Sequence, residues 1–163
     1  MNAIAFSHFY EYHFTENRKI WDSYVTSLPY ELFIKKVSYS HGSVRNQVVH
    51  ILEVEDLWFH ELQGIEPSEP FPTANFDDRI NIRQYWDGVE QNMRAYLANL
   101  QDGMLFEKPI KFEEDKDLIV WQVLLHVANH GTDHRAQLLR LLNDFGVNTG
   151  PQDYIFYVYD HLM

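Results

Sequence analysis

Cysteine is absent from all 163 residues. That excludes disulfide scaffolds, thiolate zinc sites, iron–sulfur clusters and a cysteine nucleophile, and it fits a reducing cytoplasm, the expected location. Basic residues are scarce. Thirteen Lys and Arg stand against 24 Asp and Glu, a net charge of −11 with histidine neutral. A field of that sign repels phosphate backbones and anionic bilayers, so no nucleic acid and no membrane is expected as a partner. The same field draws cations in. Long apolar runs are missing as well, so no segment is expected to span a bilayer. The opening MNAIAFSHFYEYHFTENRK lacks the basic start, the unbroken apolar stretch and the small-residue cleavage site of a secretory leader.

Apolar residues, by contrast, reach 45% and aromatics 15%, enough for a sizeable core. The length suits one domain, residues 1–163. Three- and four-residue spacing of apolar side chains predicts four long helices, over 4–27, 44–62, 78–100 and 118–145. Ser43 is a plausible N-cap for the second, and Gly64 a natural stop. Proline is concentrated between the second and third: Pro67, Pro70 and Pro72 fall in 65–77, which has no helical period. Residues 104–112 alternate loosely and read as an irregular or β-like excursion, and 153–161 as a short, aromatic-rich final helix. The expected fold is therefore all-α: a four-helix bundle with a long crossover between helices 2 and 3 and a short C-terminal helix.

Nine histidines are present, and some of them line up. His126, His130 and His134 are spaced i, i+4, i+8 on the fourth helix, so successive imidazoles are about 40° apart around it. Two at i and i+4 can aim at one ion, and neighbours such as Val123, Val127 and Leu138 turn that stripe inward. His50, flanked by Val49 and Ile51, is the matching candidate on the second helix. One imidazole from there and the pair His130 and His134 would make a three-nitrogen site with an open position, the pattern of a catalytic divalent metal. His126 sits too far along the axis for a fourth ligand and is expected to line the cavity. His8, His13, His41, His60 and His161 show no comparable register. A zincin would need H-E-x-x-H, but the pair here reads His130-Gly131-Thr132-Asp133-His134. A di-iron bundle would need Glu three residues before a His, where Val123 and Val127 stand. Glu53, three residues after His50, is placed to orient an imidazole or take a proton, and is the candidate catalytic group. Asp133 is expected to form a salt bridge with Arg135 or a lysine rather than to act in catalysis.

The segment His130 to Leu138, HGTDHRAQL, resembles the H-x-x-x-H-R-G-Q signature of the DinB-like four-helix bundles. Ser43 to Gly64, with His50 and Trp58, is similar to that family's second helix, and 12–21, containing Asn17, to its first. The stretch 142–153 resembles its ending. Ala136 departs from the usual Gly, and its methyl is expected to narrow the approach of a neighbouring helix. The resemblance implies a divalent ion, zinc or nickel, held by His50, His130 and His134, and a homodimer. It also implies a small-molecule substrate and a thiol S-transferase-like activity using a low-molecular-weight thiol such as bacillithiol, mycothiol or glutathione. A coordinating thiol is deprotonated at neutral pH, and with no cysteine in the chain the sulfur must come from a ligand. Trp58, Tyr85 and Trp86 are the aromatics against which an electrophile would pack. Two other readings stay open: a hydrolase using a metal-bound water with Glu53 as base, and a non-catalytic metal- or ligand-binding stress protein.

Overall fold

The computed structural model describes residues 1–72, 74 and 77–161. Six α-helices form within them: α1 (Ala3–Ile20), α2 (Tyr30–Phe33), α3 (Val44–Gln63), α4 (Arg79–Ala98), α5 (Val120–Asp144) and α6 (Tyr154–Asp160). No strand occurs among the described residues. The ends follow local chemistry. The Asn2 side chain accepts from the Ala5 amide at 2.9 Å, and Ser43 Oγ from the Asn46 amide at 3.1 Å, each satisfying a first-turn donor that has no partner in the helix. Gly64 closes α3 in the left-handed region at φ 64°, where a side chain would be strained.

α1 and α3 each pack against both α4 and α5, giving a four-rod bundle. The polar contacts fix the directions. Arg94 reaches Glu11 and Arg18 reaches Glu90, so α1 and α4 are antiparallel. Gln47 meets His134 and His50 meets His130, so α3 and α5 are antiparallel as well. Arg45 reaches Asp78 and Gln63 reaches Asn92, so α3 and α4 run the same way. The connection between those two is the proline-containing stretch 65–77, of which residues 73, 75 and 76 lie outside the described residues.

Two apolar clusters fill the interior, one around Tyr10, Phe14, Phe59, Met93 and Leu124, the other around Trp21, Val48, Leu52, Ile82 and Leu142. A polar layer and the histidines lie between them.

Several boundaries differ from expectation. The first α-helix ends at Ile20, and Trp21–Val25 forms a π-helical turn closed by the Thr26 amide on the Trp21 carbonyl at 3.0 Å. The widened turn lets Trp21 and Val25 both face the core, which a 3.6-residue period does not reveal. α2 follows Pro29 and buries Phe33, a four-residue helix too short to show a period. In 104–112 the excursion is a single 3-10 turn, Met104–Phe106. Ala136 is exposed, so its methyl narrows no helix contact.

Candidate metal centre

α5 presents His130 and His134 one turn apart toward α3, which presents His50. The ring centroids are 4.2 Å apart for His130 and His134, 4.6 Å for His50 and His134, and 5.0 Å for His50 and His130. His50 Nε2 and His130 Nε2 are 3.1 Å apart. A fourth ring joins them. His41, on the turn before α3, stacks on His50 with centroids 3.7 Å apart and lies 5.2 Å from His134. His41, His50 and His134 each place a ring nitrogen within 4.8 Å of the other two.

These imidazoles are poised to be neutral. Burial pushes His50 down to about 4 and His130 to about 3, and the neighbouring histidines add to both shifts. Burial also lowers His41 and His134, opposed by the negative charges of Glu53 and Asp133 respectively. A neutral ring keeps the lone pair that a metal needs. The partners hold the rings in place. Gln47, itself buried, meets His134 Nδ1 at 2.8 Å and so fixes the orientation of that ring.

A divalent ion fits this donor set. Tetrahedral coordination at roughly 2.0–2.1 Å separates ligand nitrogens by about 3.3–3.4 Å, close to the His50–His130 contact. His130 Nδ1 is buried with no hydrogen-bond partner, which is costly for a polar atom that has only protein around it. Imidazoles alone favour borderline ions such as zinc and nickel over magnesium or calcium.

The depressed values carry a sign for stability. Above about pH 6.5 the unfolded and folded chains both hold neutral rings, and the shifts contribute nothing. As pH falls from there toward the folded values, the unfolded chain takes up protons that the cluster refuses, so stability falls. Metal-free protein is expected to melt several degrees lower at about pH 5 than at about pH 7.5, with a smaller drop in His130→Phe. Thermal unfolding in chelator checks this, and an equal drop in both proteins would contradict it.

Behind the histidines lies a buried network that joins α1, α3 and α5. His13, Asn17, Glu55 and Arg135 are each 1% exposed. Arg135 Nη1 donates to His13 Nδ1 at 3.0 Å and to Asn17 Oδ1 at 2.9 Å. Because Arg only donates, His13 must carry its proton on Nε2, which donates to Glu55 Oε1 at 2.7 Å. Asn17 Nδ2 donates to the same oxygen at 3.0 Å. Desolvation lowers His13 despite the adjacent Glu55, consistent with a neutral ring between two opposite charges. Arg135 also reaches Thr132 Oγ1 and Gln152 Oε1. Gly131 makes room for this arrangement, since a Cβ there would stand 2.4 Å from His13 Cε1.

The sequence profile of the DinB family matches residues 1–161. The chain belongs to the DinB family. It is similar to Protein DinB of Bacillus subtilis (strain 168), 25% identical over 167 residues that span 98% of this chain and 96% of that one.

For this DinB-family member the H-x-x-x-H-R segment thus has two faces. His130 and His134 meet α3, while Arg135 turns the other way into the core. Asp133 does not pair with Arg135 as expected. It accepts instead from Gln137 at 2.9 Å, because Arg135 is committed to the network.

The remaining candidates are more dispersed. Glu53 accepts from the Phe71 amide at 2.9 Å and so ties α3 to the connection that follows it. Tyr85 stacks on Phe71 and beside Glu53, with burial and then the Asp56 and Glu53 carboxylates raising its phenol well above the ordinary value. His126 is exposed on α5. Its ring is 5.8 Å from His130 and edge-on to Trp58 at 5.3 Å, and it lines a shallow cavity with Trp121 and Leu125. Trp86 is buried against Trp21. His41 is the residue that helical register misses, since a turn has no period to align with His50. No helix among the described residues is long and apolar enough to cross a membrane.

Proposed function

We propose that this DinB-family protein is a divalent-metal-dependent enzyme that joins a low-molecular-weight thiol to a small electrophile. The observation that carries the reading is a cluster of imidazoles, His50, His130 and His134, with ring centroids within 5.0 Å of one another and the His50 and His130 Nε2 atoms 3.1 Å apart, in a chain with no cysteine of its own. Zinc or nickel, when bound, supplies the positive charge that keeps the thiol cosubstrate as its thiolate at neutral pH.

The chain's own groups have separate tasks on this reading. His50, His130 and His134 donate nitrogen lone pairs, and Gln47 fixes the ring of His134. Glu53, whose carboxylate accepts from the Phe71 amide and whose charge is felt by His41, accepts the proton that the thiol loses. Trp58 and His126 flank the cluster toward the N-terminal half of α5, Tyr85 stands on the side of the crossover, and these rings pack a small apolar electrophile. Trp86 supports them from the core. The working unit is a homodimer in the cytoplasm.

Elemental analysis of untreated protein comes first, followed by incubation with 1-chloro-2,4-dinitrobenzene and glutathione or bacillithiol, with and without chelator. Turnover that needs both thiol and metal is expected, together with its loss in Glu53→Gln at retained metal content. Hydrolysis of a generic ester without thiol would replace the reading with a hydrolase in which Glu53 draws a proton from water. Stoichiometric metal with no turnover of either kind would leave a binding protein.

A further inference from the structure

The turn before α3 is built to a tight specification. The Val37 amide donates to the Gly42 carbonyl at 2.8 Å, and the Gly42 amide to the Tyr39 carbonyl at 3.0 Å. Ser40 takes φ 47°, in the left-handed region that a residue with a Cβ rarely adopts. Its hydroxyl donates to Gln47 Oε1 at 2.8 Å, the same glutamine that contacts His134. Asn46 Nδ2 donates to the His41 carbonyl at 3.1 Å, just beyond the Ser43 cap. Every one of these contacts holds the backbone on either side of His41. The result is an imidazole laid flat on His50 at a 19° interplanar angle and close to His134.

We propose that His41 is a fourth nitrogen donor to the centre, so that one divalent ion is held by His41, His50, His130 and His134. The proposal rests on the three-histidine metal reading and extends it to a residue from outside the helices. Two overlapping triads motivate it. His50, His130 and His134 form one, through ring centroids within 5.0 Å of each other; His41, His50 and His134 form the other, through nitrogens within 4.8 Å. Both triads share His50 and His134, so one ion on that pair has His130 on the helix side and His41 on the turn side. Four protein ligands close a tetrahedral shell, and three leave a position open. In this chain an incoming ligand therefore competes with His41, and the turn 37–42 sets access to the metal. Stacked at 19°, the His41 and His50 planes do not meet at one ion, so ligation turns the His41 ring out of the stack. Simple ring stacking is the competing account, and it gives the His41 nitrogens no task.

Cobalt(II) substitution tests this without any assay of turnover. Wild type, His41→Ala and His41→Phe are loaded with cobalt, and visible spectra, chelator competition and azide titration are recorded. His41→Phe keeps a flat ring over His50 but has no nitrogen. Both variants are expected to lose metal affinity by at least the roughly 10–100-fold typical of a lost outer-shell partner. Their cobalt spectra should shift, and both should bind azide more tightly than wild type. Affinity, spectrum and azide binding unchanged in His41→Phe would overturn the proposal while leaving the three-histidine reading intact. A wild-type protein that takes up no cobalt, zinc or nickel would overturn both.

Discussion

Replacing Arg135 by methionine is expected to lower the melting temperature of the metal-free protein by roughly 10 °C or more. Arg135 and Glu55 are opposite buried charges bridged by His13 and Asn17. Leaving such a buried charge uncompensated costs about 3–5 kcal/mol, and each kcal/mol moves the midpoint of a domain this size by roughly 2–4 °C. The cost arises on the other side of the network. With Arg135 gone, the Glu55 carboxylate stays buried at 1% exposure with only neutral donors, His13 and Asn17, around it. His13 Nδ1 and Asn17 Oδ1 also lose a donor each. The sign of the charge effect can be isolated with Arg135→Met/Glu55→Gln. Removing both charges leaves a neutral amide that still accepts from His13, so the double variant should melt above the Arg135→Met single. Thermal unfolding of the four proteins in the cycle measures the coupling directly. A double variant that loses the sum of the two single effects would show that the charges do not act on one another.

Much of this molecule is legible in its sequence, and the limits follow from what periodicity can carry. The long helices α3, α4 and α5 declare themselves because each buries one stripe against its neighbours, so the 3.6-residue repeat is written over five turns or more. Trp21–Val25 and Tyr30–Phe33 do not, since a π turn shifts the phase and a single turn has none. The same distinction divides the site. His50, His130 and His134 share register within helices, and that register exposes them as a set. His41 reaches the cluster through a turn whose path depends on a left-handed Ser40 and on Gln47, a tertiary circumstance. His13 shows no metal-ligand register in the sequence, and in the structure it is a hydrogen-bonded core histidine. Its partners are hidden from sequence patterning, because Glu55 and Arg135 are charged types that patterning assigns to the surface. The one hint lies in their positions: Asn17 falls four residues after His13, and Arg135 four after a glycine that fits against His13.

His130→Ala is expected to abolish stoichiometric binding of zinc or nickel, whereas His8→Ala should retain it. His130 stands at the tightest nitrogen contact in the cluster, 3.1 Å from His50, and lies one helical turn from His134. Its ring carries the one buried imidazole nitrogen that has no hydrogen-bond partner among the described residues. Truncation removes the Nε2 donor that faces His50 and admits water between α3 and α5, which relaxes His50 and His134 back toward the ordinary imidazole value, so protons compete with the ion at mildly acid pH. Loss of the ion and loss of the low imidazole pKa values therefore reinforce each other. His8 packs against the rings of Tyr154 and Tyr157, so its removal should cost local packing and no metal. Elemental analysis of the two purified variants, with circular dichroism to establish that both are folded, decides the matter. Equal metal content in folded His130→Ala and His8→Ala would remove His130 from the site and leave His41, His50 and His134 as the ligand set.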